Sequence, residues 1–214
     1  MPILLTAATT FEIEPTLQLL EKKGIATPVE VLITGIGPVS ATYLLTNAIM
    51  QKKPSLVIQA GIAGSFNYAE IPPGKVVLVK YDAFGDLGME EKGAFTTVFD
   101  AGFAGKNQFP FTEGWLINPH ALLNNSLLPV VKSVTINKVS DSNGQKKQLI
   151  KTFSPQTESM EGAALHYVCL QQSLPFLQIR SISNEVGERD KSKWRMKEAV
   201  ENLNTELIKL ITGY

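Results

Sequence analysis

Six short apolar runs recur along the chain, each bounded by turn residues: Ile3–Ala8, Val29–Thr34, Leu56–Ala60, Lys75–Tyr81, Val134–Val139 and Phe176–Ser181. They are rich in Val, Ile and Leu and do not alternate with polar residues. A strand with one wet face must alternate, so these runs predict strands covered on both faces. Segments with helical spacing lie between several of them. Pro38 opens Val39–Gln51, where Ala41, Leu44, Leu45, Ala48 and Ile49 share one apolar face. Asn143-Gly144 opens a short helix to about Thr152, and Met160–Gln171 forms another. The last runs from about Lys191 to Thr212, with Met196, Val200, Leu203, Leu207, Leu210 and Ile211 in phase. This alternation predicts an α/β fold, a three-layer sandwich around a central mixed, largely parallel sheet. With 214 residues and no internal repeat or low-complexity linker, residues 1–214 are expected to form one domain.

Charge excludes some partners. Twenty Lys and Arg balance 20 Asp and Glu, so no net field favours nucleic acid or an anionic membrane. No run approaches the ~20 apolar residues of a spanning helix. The start, Met-Pro-Ile-Leu-Leu-Thr-Ala-Ala, lacks a basic segment and enters a strand, so no signal peptide is expected. The lone Cys169 has no internal disulfide partner and reads as a buried filler among Ala164, Val168 and Leu170. Together these predict a cytoplasmic protein. Between 82 and 126, glycines and aromatics mix without periodicity. That suggests an excursion that packs on something, a subunit interface before a lid, and hence a homodimer or larger homo-oligomer. His120 and His166 fall away from the predicted strand ends and read as structural or surface groups. No Cys/His cluster has metal-ligand spacing, so no metal and no cofactor are expected. Lys22-Lys23 and Lys146-Lys147 read as solvated faces.

In open α/β sheets ligands bind beyond the carboxyl ends of the strands. After the first strand come Glu12 and Glu14, ahead of a helix with Pro15 in its first turn. They either compensate the helix dipole or place a general base at the sheet's mouth. After the second, Thr34-Gly35-Ile36-Gly37-Pro38 makes either a tight turn or a set of N–H groups aimed at a bound oxygen or anion. After the third, Gly61-Ile62-Ala63-Gly64 lets backbone approach a ligand, or lets a helix pack closely. Glu161, at a helix start beside Gly162, Ala163 and Ala164, is a capping acid or a carboxylate free to accept from two vicinal ribose hydroxyls. Asn184, after the last strand, is an Asx-turn residue or a ligand contact. An amide both donates and accepts, which suits the N7/O6 edge of a 6-oxopurine; an ionised Asp would suit adenine's amino group.

These segments resemble the nucleoside phosphorylase/nucleosidase superfamily. The resemblance runs through Ala8-Thr9-Thr10-Phe11-Glu12, Thr34-Gly35-Ile36-Gly37, Ala60-Gly61-Ile62-Ala63-Gly64, Gly74–Val79, Met160-Glu161-Gly162-Ala163 and Arg180-Ser181-Ile182-Ser183-Asn184. It is similar to hydrolases related to methylthioadenosine/S-adenosylhomocysteine nucleosidase. It implies a nucleoside phosphorylase-like fold and a small-molecule nucleoside substrate. Glu12 is implied as the base that activates water, and Glu161 as the ribose ligand with Met160 beneath the sugar. Asn184, with Ser183, is implied in base recognition and departure, and Gly61 and Ile62 in substrate contact. Methylthioadenosine nucleosidases carry Asp where this chain has Asn184. The run Ser181–Asp190 looks more like the futalosine hydrolases of menaquinone biosynthesis, which release hypoxanthine, a 6-oxopurine. Trp194 falls where the nucleosidases line the 5′ pocket with an aromatic, and Arg189 or Arg195 is placed to pair with a carboxylate there. The nucleosidases stack the base on an aromatic near Val139–Asn143; this chain has none. Purine nucleoside phosphorylases build a phosphate pocket from arginines in the N-terminal half. The only arginines here are Arg180, Arg189 and Arg195, which favours water as the nucleophile. Methylthioadenosine/S-adenosylhomocysteine cleavage, phosphorolysis and non-catalytic nucleoside binding stay open as alternatives.

Overall fold

The computed structural model describes residues 2–23 and 28–213. β1 (Ile3–Ala7) lies parallel between β2 (Val29–Ile33) and β3 (Leu56–Ser65), with α1 (Thr10–Lys23) and α2 (Pro38–Lys52) between successive strands. β4 (Val76–Phe84) opens the glycine- and aromatic-rich excursion. There β5 (Gly88–Glu91) and β6 (Ala94–Thr97) form a separate hairpin, and β7 (Phe111–Thr112) and β8 (Trp115–Ile117) return along β4. One turn of helix, α3 (Leu122–Asn125), leads to β9 (Val130–Thr135), α4 (Asn143–Phe153), β10 (Thr157–Ser159) and α5 (Gly162–Gln171). β11 (Phe176–Glu185), a 3-10 turn (Lys191–Lys193) and α6 (Met196–Thr212) complete the chain's order.

The pairings close on themselves. β3 joins β11, β11 joins β4, β4 joins β9, β9 joins β10, and β10 returns to β3. The β10–β3 and β11–β4 pairs are antiparallel and the other three parallel, so the sheet is mixed. Neighbouring residues of one strand enter different cores. Leu5 and Ile58 pack with Ile13 of α1 and with Leu203 and Leu207 of α6. Leu4 and Val57 pack with Leu45 of α2 and Leu165 of α5. This is why the runs show no alternation. Each such side chain, fully buried, contributes about 1.5–3 kcal/mol of transfer free energy.

Several boundaries differ from expectation. The ninth strand is Val130–Thr135, not Val134–Val139. Lys132 and Ser133 break the apolar pattern there, and the chain has turned away by Asn137, whose N–H donates to Asp86 Oδ2 at 2.7 Å. β10 is short and polar and offered no pattern at all, yet it joins β9 to β3. α1 begins at Thr10, so Glu12 and Glu14 lie inside it and Pro15 sits in its interior rather than its first turn. α5 starts at Gly162, and α6 at Met196 after the separate turn. β3 runs on to Ser65, so Gly61–Gly64 is strand rather than the turn after one. Lys22 is exposed as expected, whereas the side chain of Lys23 lies outside the described residues.

Candidate active site

The site grows from a gap along one edge of β3. Pairing with β1 ends at Thr6 opposite Gln59, and pairing with β10 begins at Glu158 opposite Gly64. Between these ladders the Ile62 N–H has no strand partner on that edge, and a side chain supplies one. Glu12 Oε1 accepts from Ile62 N at 3.1 Å. Its Oε2 accepts from Thr9 N and from Thr9 Oγ1, both at 3.0 Å. Thr9-Thr10-Phe11-Glu12 has capping-box spacing, in which the acid reaches back to the N–H ahead of the helix. One buried carboxylate therefore ties the start of α1 to the open edge of β3. Glu14 is exposed.

The backbone under Glu12 is unusual. Asn204 of α6 donates from Nδ2 to Glu12 O at 2.9 Å, while Thr16 N donates to Asn204 Oδ1 at 3.0 Å. Glu12 O and Thr16 N are an i, i+4 pair, so the amide is inserted into the helix ladder. The opening lies beside Pro15, which has no N–H and whose ring crowds the carbonyl of Phe11. Thr16 Oγ1 also donates to Asn204 Oδ1, at 2.5 Å, and Asn204 Nδ2 reaches Val200 O at 2.7 Å.

Glu161 follows β10 and is held from two sides. Gly37 N donates to its Oε1 at 2.9 Å. That residue has a φ of 97°, which glycine adopts without steric cost. The N–H expected to face a bound oxygen or anion thus faces the protein's own carboxylate. On the other side stands Arg180, 1% exposed, whose Nη2 donates to Gln59 Oε1 at 2.6 Å and lies 4.0 Å from Glu161 Oε2. Burial pushes the Glu161 pKa up; Arg180 and the Gly37 N–H pull it back. Arg180 also approaches Glu12. A Cβ on Gly61 would come within 2.1 Å of Arg180 Nη1 and 2.9 Å of Glu12 Oε1. Gly61 is therefore fixed by the close approach of two side chains, Arg180 and Glu12, not by a turn.

Asn184 stands opposite Gly64 after a register shift in β11 between Ile182 and Asn184. Such an extra residue re-aims the side chains around it. Ser183 Oγ donates to Asn184 Oδ1 at 2.7 Å and lies 3.3 Å from Ala63 O. Asn184 Nδ2 donates to Glu185 O at 2.9 Å, which leaves its second hydrogen for a ligand. Met160 is half-buried between β10 and α5. The loop after β11 is tied to the same place, because Arg195 N donates to Ser183 O at 2.8 Å. Trp194 Nε1 donates to Glu188 O at 3.0 Å, and the Arg189 guanidinium lies 5.8 Å from the Trp194 ring centre. No hydrogen bond or ion pair joins Trp194 or Arg189 to Glu12, Glu161 or Asn184 among the described residues. Arg195 pairs with Glu198 at 2.8 Å.

The start of α5, and so Glu161, is braced from within. Thr135 Oγ1 donates to Asp82 Oδ1 at 2.9 Å and accepts from Ala163 N at 2.7 Å. A Cβ on Gly162 would meet Gln178 Nε2 at 2.1 Å and Asp82 Oδ2 at 2.2 Å. Burial pushes Asp82 up to about 7, against the pull of Gln178, Thr135 and Arg180. Burial pushes His166 down to about 4; its Nδ1 lies 3.0 Å from Leu116 O, a structural role. Cys169 is buried, and burial raises its thiol pKa. A cavity of about 530 Å³ lies elsewhere, at the amino end of β11, lined by Phe109, His120, Leu170, Leu174 and Pro175 and by none of the expected site residues.

Sequence reasoning singled out Glu12, Glu161, Met160, Ser183, Asn184, Gly61 and Ile62; the structure joins Glu12 to Ile62, sets Gly61 against Glu12 and Arg180, and joins Ser183 to Asn184, with Met160 next to Glu161 in the chain. It missed Arg180, although a charge inside an apolar strand was a visible signal, and it missed Thr9 and Asn204. Among the described residues no group of three or more His, Cys, Asp or Glu could hold a metal ion, and no helix is long and apolar enough to cross a membrane.

Comparison with known proteins agrees with this fold. A futalosine hydrolase of Thermus thermophilus is 31% identical over 185 residues, which cover 84% of this chain and 80% of the relative. A 5′-methylthioadenosine/S-adenosylhomocysteine nucleosidase of Listeria welshimeri is 27% identical over 177 residues, covering 73% and 68%. The solved futalosine hydrolase of Helicobacter pylori superposes with a TM-score of 0.83 at 17% identity, over 100% of this chain and 98% of that one. The Neisseria meningitidis 5′-methylthioadenosine/S-adenosylhomocysteine nucleosidase in complex with methylthio-immucillin-A gives 0.80 at 20% identity, covering 100% and 99%. The sequence pattern of the phosphorylase superfamily matches residues 19–212, and this chain belongs to that superfamily.

Proposed function

We propose that this protein hydrolyses the N-ribosidic bond of futalosine, releasing hypoxanthine and the dehypoxanthinyl sugar of menaquinone biosynthesis. The observation that carries this reading is the Glu12 carboxylate held by three donors at the bare edge of β3, with Glu161 and Arg180 beside it. In the reaction C1′–N9 breaks through an oxocarbenium-like state. Water attacks C1′, Glu12 takes its proton, and the base leaves with its proton supplied by solvent. General-base assistance of this kind contributes about 10²–10⁴-fold. Glu161 grips the 2′ and 3′ hydroxyls above Met160, and Gly61 and Ile62 bring backbone close to the sugar. Asn184, oriented by Ser183, holds the O6/N7 edge. Trp194 packs on the 5′ substituent and Arg189 pairs with its carboxylate.

Phosphorolysis is disfavoured because the first 179 residues contain no arginine. Asn184 in place of an acid disfavours methylthioadenosine cleavage. The chain is proposed to act as one cytoplasmic domain of three layers and to assemble as a homodimer or larger homo-oligomer; exposed Phe103, Phe109, Val39 and Tyr43 support the assembly. The test is a panel of futalosine, inosine and methylthioadenosine, with free base followed by chromatography with and without phosphate. Phosphate-independent release of hypoxanthine from futalosine is expected, and Glu12→Gln should abolish turnover while leaving binding intact. Faster release from methylthioadenosine, or full activity in Glu12→Gln, would overturn the reading.

A further inference from the structure

A buried polar chain behind Glu161 takes no part in the chemistry above. Asp82 of β4, His166 of α5 and Gln178 of β11 are all fully buried. The Gln178 amide faces both the Asp82 carboxyl and the His166 ring. With its nitrogen beside Asp82 Oδ2, where the two crowd one point next to Gly162, four atoms lack a partner: Asp82 Oδ2, Gln178 Nε2, Gln178 Oε1 and His166 Nε2. Buried polar groups are rarely left unpaired, because each has given up its water.

One backbone carbonyl fixes the direction of the chain. His166 Nδ1 lies 3.0 Å from Leu116 O. A carbonyl only accepts, so Nδ1 carries the hydrogen. Burial holds this ring neutral down to about pH 4, so Nε2 is a bare lone pair that needs a donor. The Gln178 amide is the group that faces it. An amide has the same shape when turned end for end, so its bonds decide its orientation. With its nitrogen on His166, Gln178 presents its oxygen to Asp82. Two acceptors cannot satisfy each other, so Asp82 Oδ2 must carry a hydrogen. The other carboxyl oxygen already accepts from Thr135 Oγ1 at 2.9 Å. All four atoms are then satisfied. The opposite orientation satisfies them only with a buried imidazolium and a buried carboxylate, and burial opposes both charges.

Arg180 links this chain to the site. Its guanidinium acts on Asp82 as well as on Glu161, and its Nε has no partner among the described residues. If Asp82 were ionised, one buried cation would be shared among three carboxylates, Asp82, Glu161 and Glu12.

We propose that Asp82 is a positioning residue that works as a neutral acid: it donates to Gln178 Oε1, Gln178 Nε2 donates to His166 Nε2, and the Arg180 charge is left to Glu161 and Glu12. This rests on the reading of Glu12 and Glu161 as the reacting pair, though not on which nucleoside is cleaved. Around Asp82, α5 presents the neutral His166 and β11 the guanidinium of Arg180, which stays charged. β9 presents Thr135 and β8 lends the Leu116 carbonyl, neither of which titrates. Loss of the Asp82 proton is therefore the event that would draw Arg180 away from Glu161 as pH rises.

Two measurements test this. The first is the pH profile of kcat/KM for wild type and Asp82→Asn, on whichever of futalosine, inosine and methylthioadenosine is turned over fastest. The wild type should show an alkaline limb that begins no lower than about pH 7 and falls about tenfold per unit. Asp82→Asn should lack that limb, because an amide donates to Gln178 and accepts from Thr135 at every pH. The same limb in both proteins would overturn the positioning role. The second needs no substrate. Infrared spectra of the wild type at pH 6 should contain the carbonyl band of a protonated carboxyl that Asp82→Asn lacks, and nitrogen NMR should show His166 protonated at Nδ1 and bare at Nε2. A hydrogen on Nε2, or no difference in the carboxyl band, would overturn the neutral acid. Failure of futalosine as substrate with both results intact would sink the futalosine reading and leave Asp82 in its role.

Discussion

Replacing Asn204 by leucine should reduce turnover far more than substrate affinity. The amide is the partner of Glu12 O, Thr16 N and Thr16 Oγ1, all buried at the helix opening. Leucine matches its volume and offers none of these bonds. Two outcomes bracket the cost. If α1 stays open, three buried polar groups lose their partner at about 1–2 kcal/mol each, roughly 3–6 kcal/mol in all. If α1 recloses, Glu12 O and Thr16 N pair with each other and only the hydroxyl is stranded, at about 1–2 kcal/mol. Reclosing turns the first helical turn, however, and draws Glu12 away from Ile62 N. A displacement of about 1 Å at a reacting group costs about 10²-fold. The expected result is a folded variant with kcat about 100-fold lower and KM little changed, since Glu161 and Asn184 are held by other elements. Asn204→Asp keeps the acceptor for Thr16 but loses the donor to Glu12 O, and should fall between. Urea unfolding and steady-state kinetics on the same preparations decide it. An Asn204→Leu enzyme that loses stability but keeps the wild-type kcat would refute the claim that this amide positions the base.

Gly61→Ala should abolish activity while the chain still folds, because the added methyl overlaps Arg180 Nη1 at 2.1 Å and pushes on Glu12 Oε1 at 2.9 Å. Circular dichroism with a turnover assay checks this, and an active alanine variant would show that Arg180 moves freely. Asp82→Asn should change the pH dependence of stability. Between its unfolded pKa of 3.8 and its folded value of about 7, native Asp82 keeps a proton that the unfolded chain has lost. Stability from this group therefore falls as pH rises through that window, by about 1.4 kcal/mol per unit at most, and is level above it. His166 acts oppositely between about 4 and 6.5, where the unfolded chain binds the extra proton, so the two slopes offset in the wild type. The stability of Asp82→Asn relative to wild type should thus climb from about pH 4 to about pH 7 in urea titrations, and parallel curves would count against a buried, protonated Asp82.

The fold was legible wherever hydrophobicity alone decided it. Leu4 and Leu5 face different helices, so the run containing them had to be apolar throughout, and that pattern needs no knowledge of the partners. The residues that close the ring carry no such mark. Thr157-Glu158-Ser159 reads as a loop in isolation and becomes a strand only because β9 and β3 stand on either side of it. The site divides along the same line. Glu12, Glu161 and Asn184 announced themselves by lying near strand ends and helix starts, where backbone polar groups are already unpaired. Asn204 sits in α6 among Leu203, Leu207 and Ile211, and its spacing is that of a core position. Nothing local tells that a proline-weakened helix nearly two hundred residues earlier needs an amide there. Arg180 lay between the two: a guanidinium in an apolar strand must be neutralised by something, yet that something, Glu161 with Gln59, comes from just beyond β10 and from the interior of β3. Chemistry set by a residue's own neighbours in sequence can be read from the chain, whereas chemistry that depends on a partner across the sheet had to wait for the register.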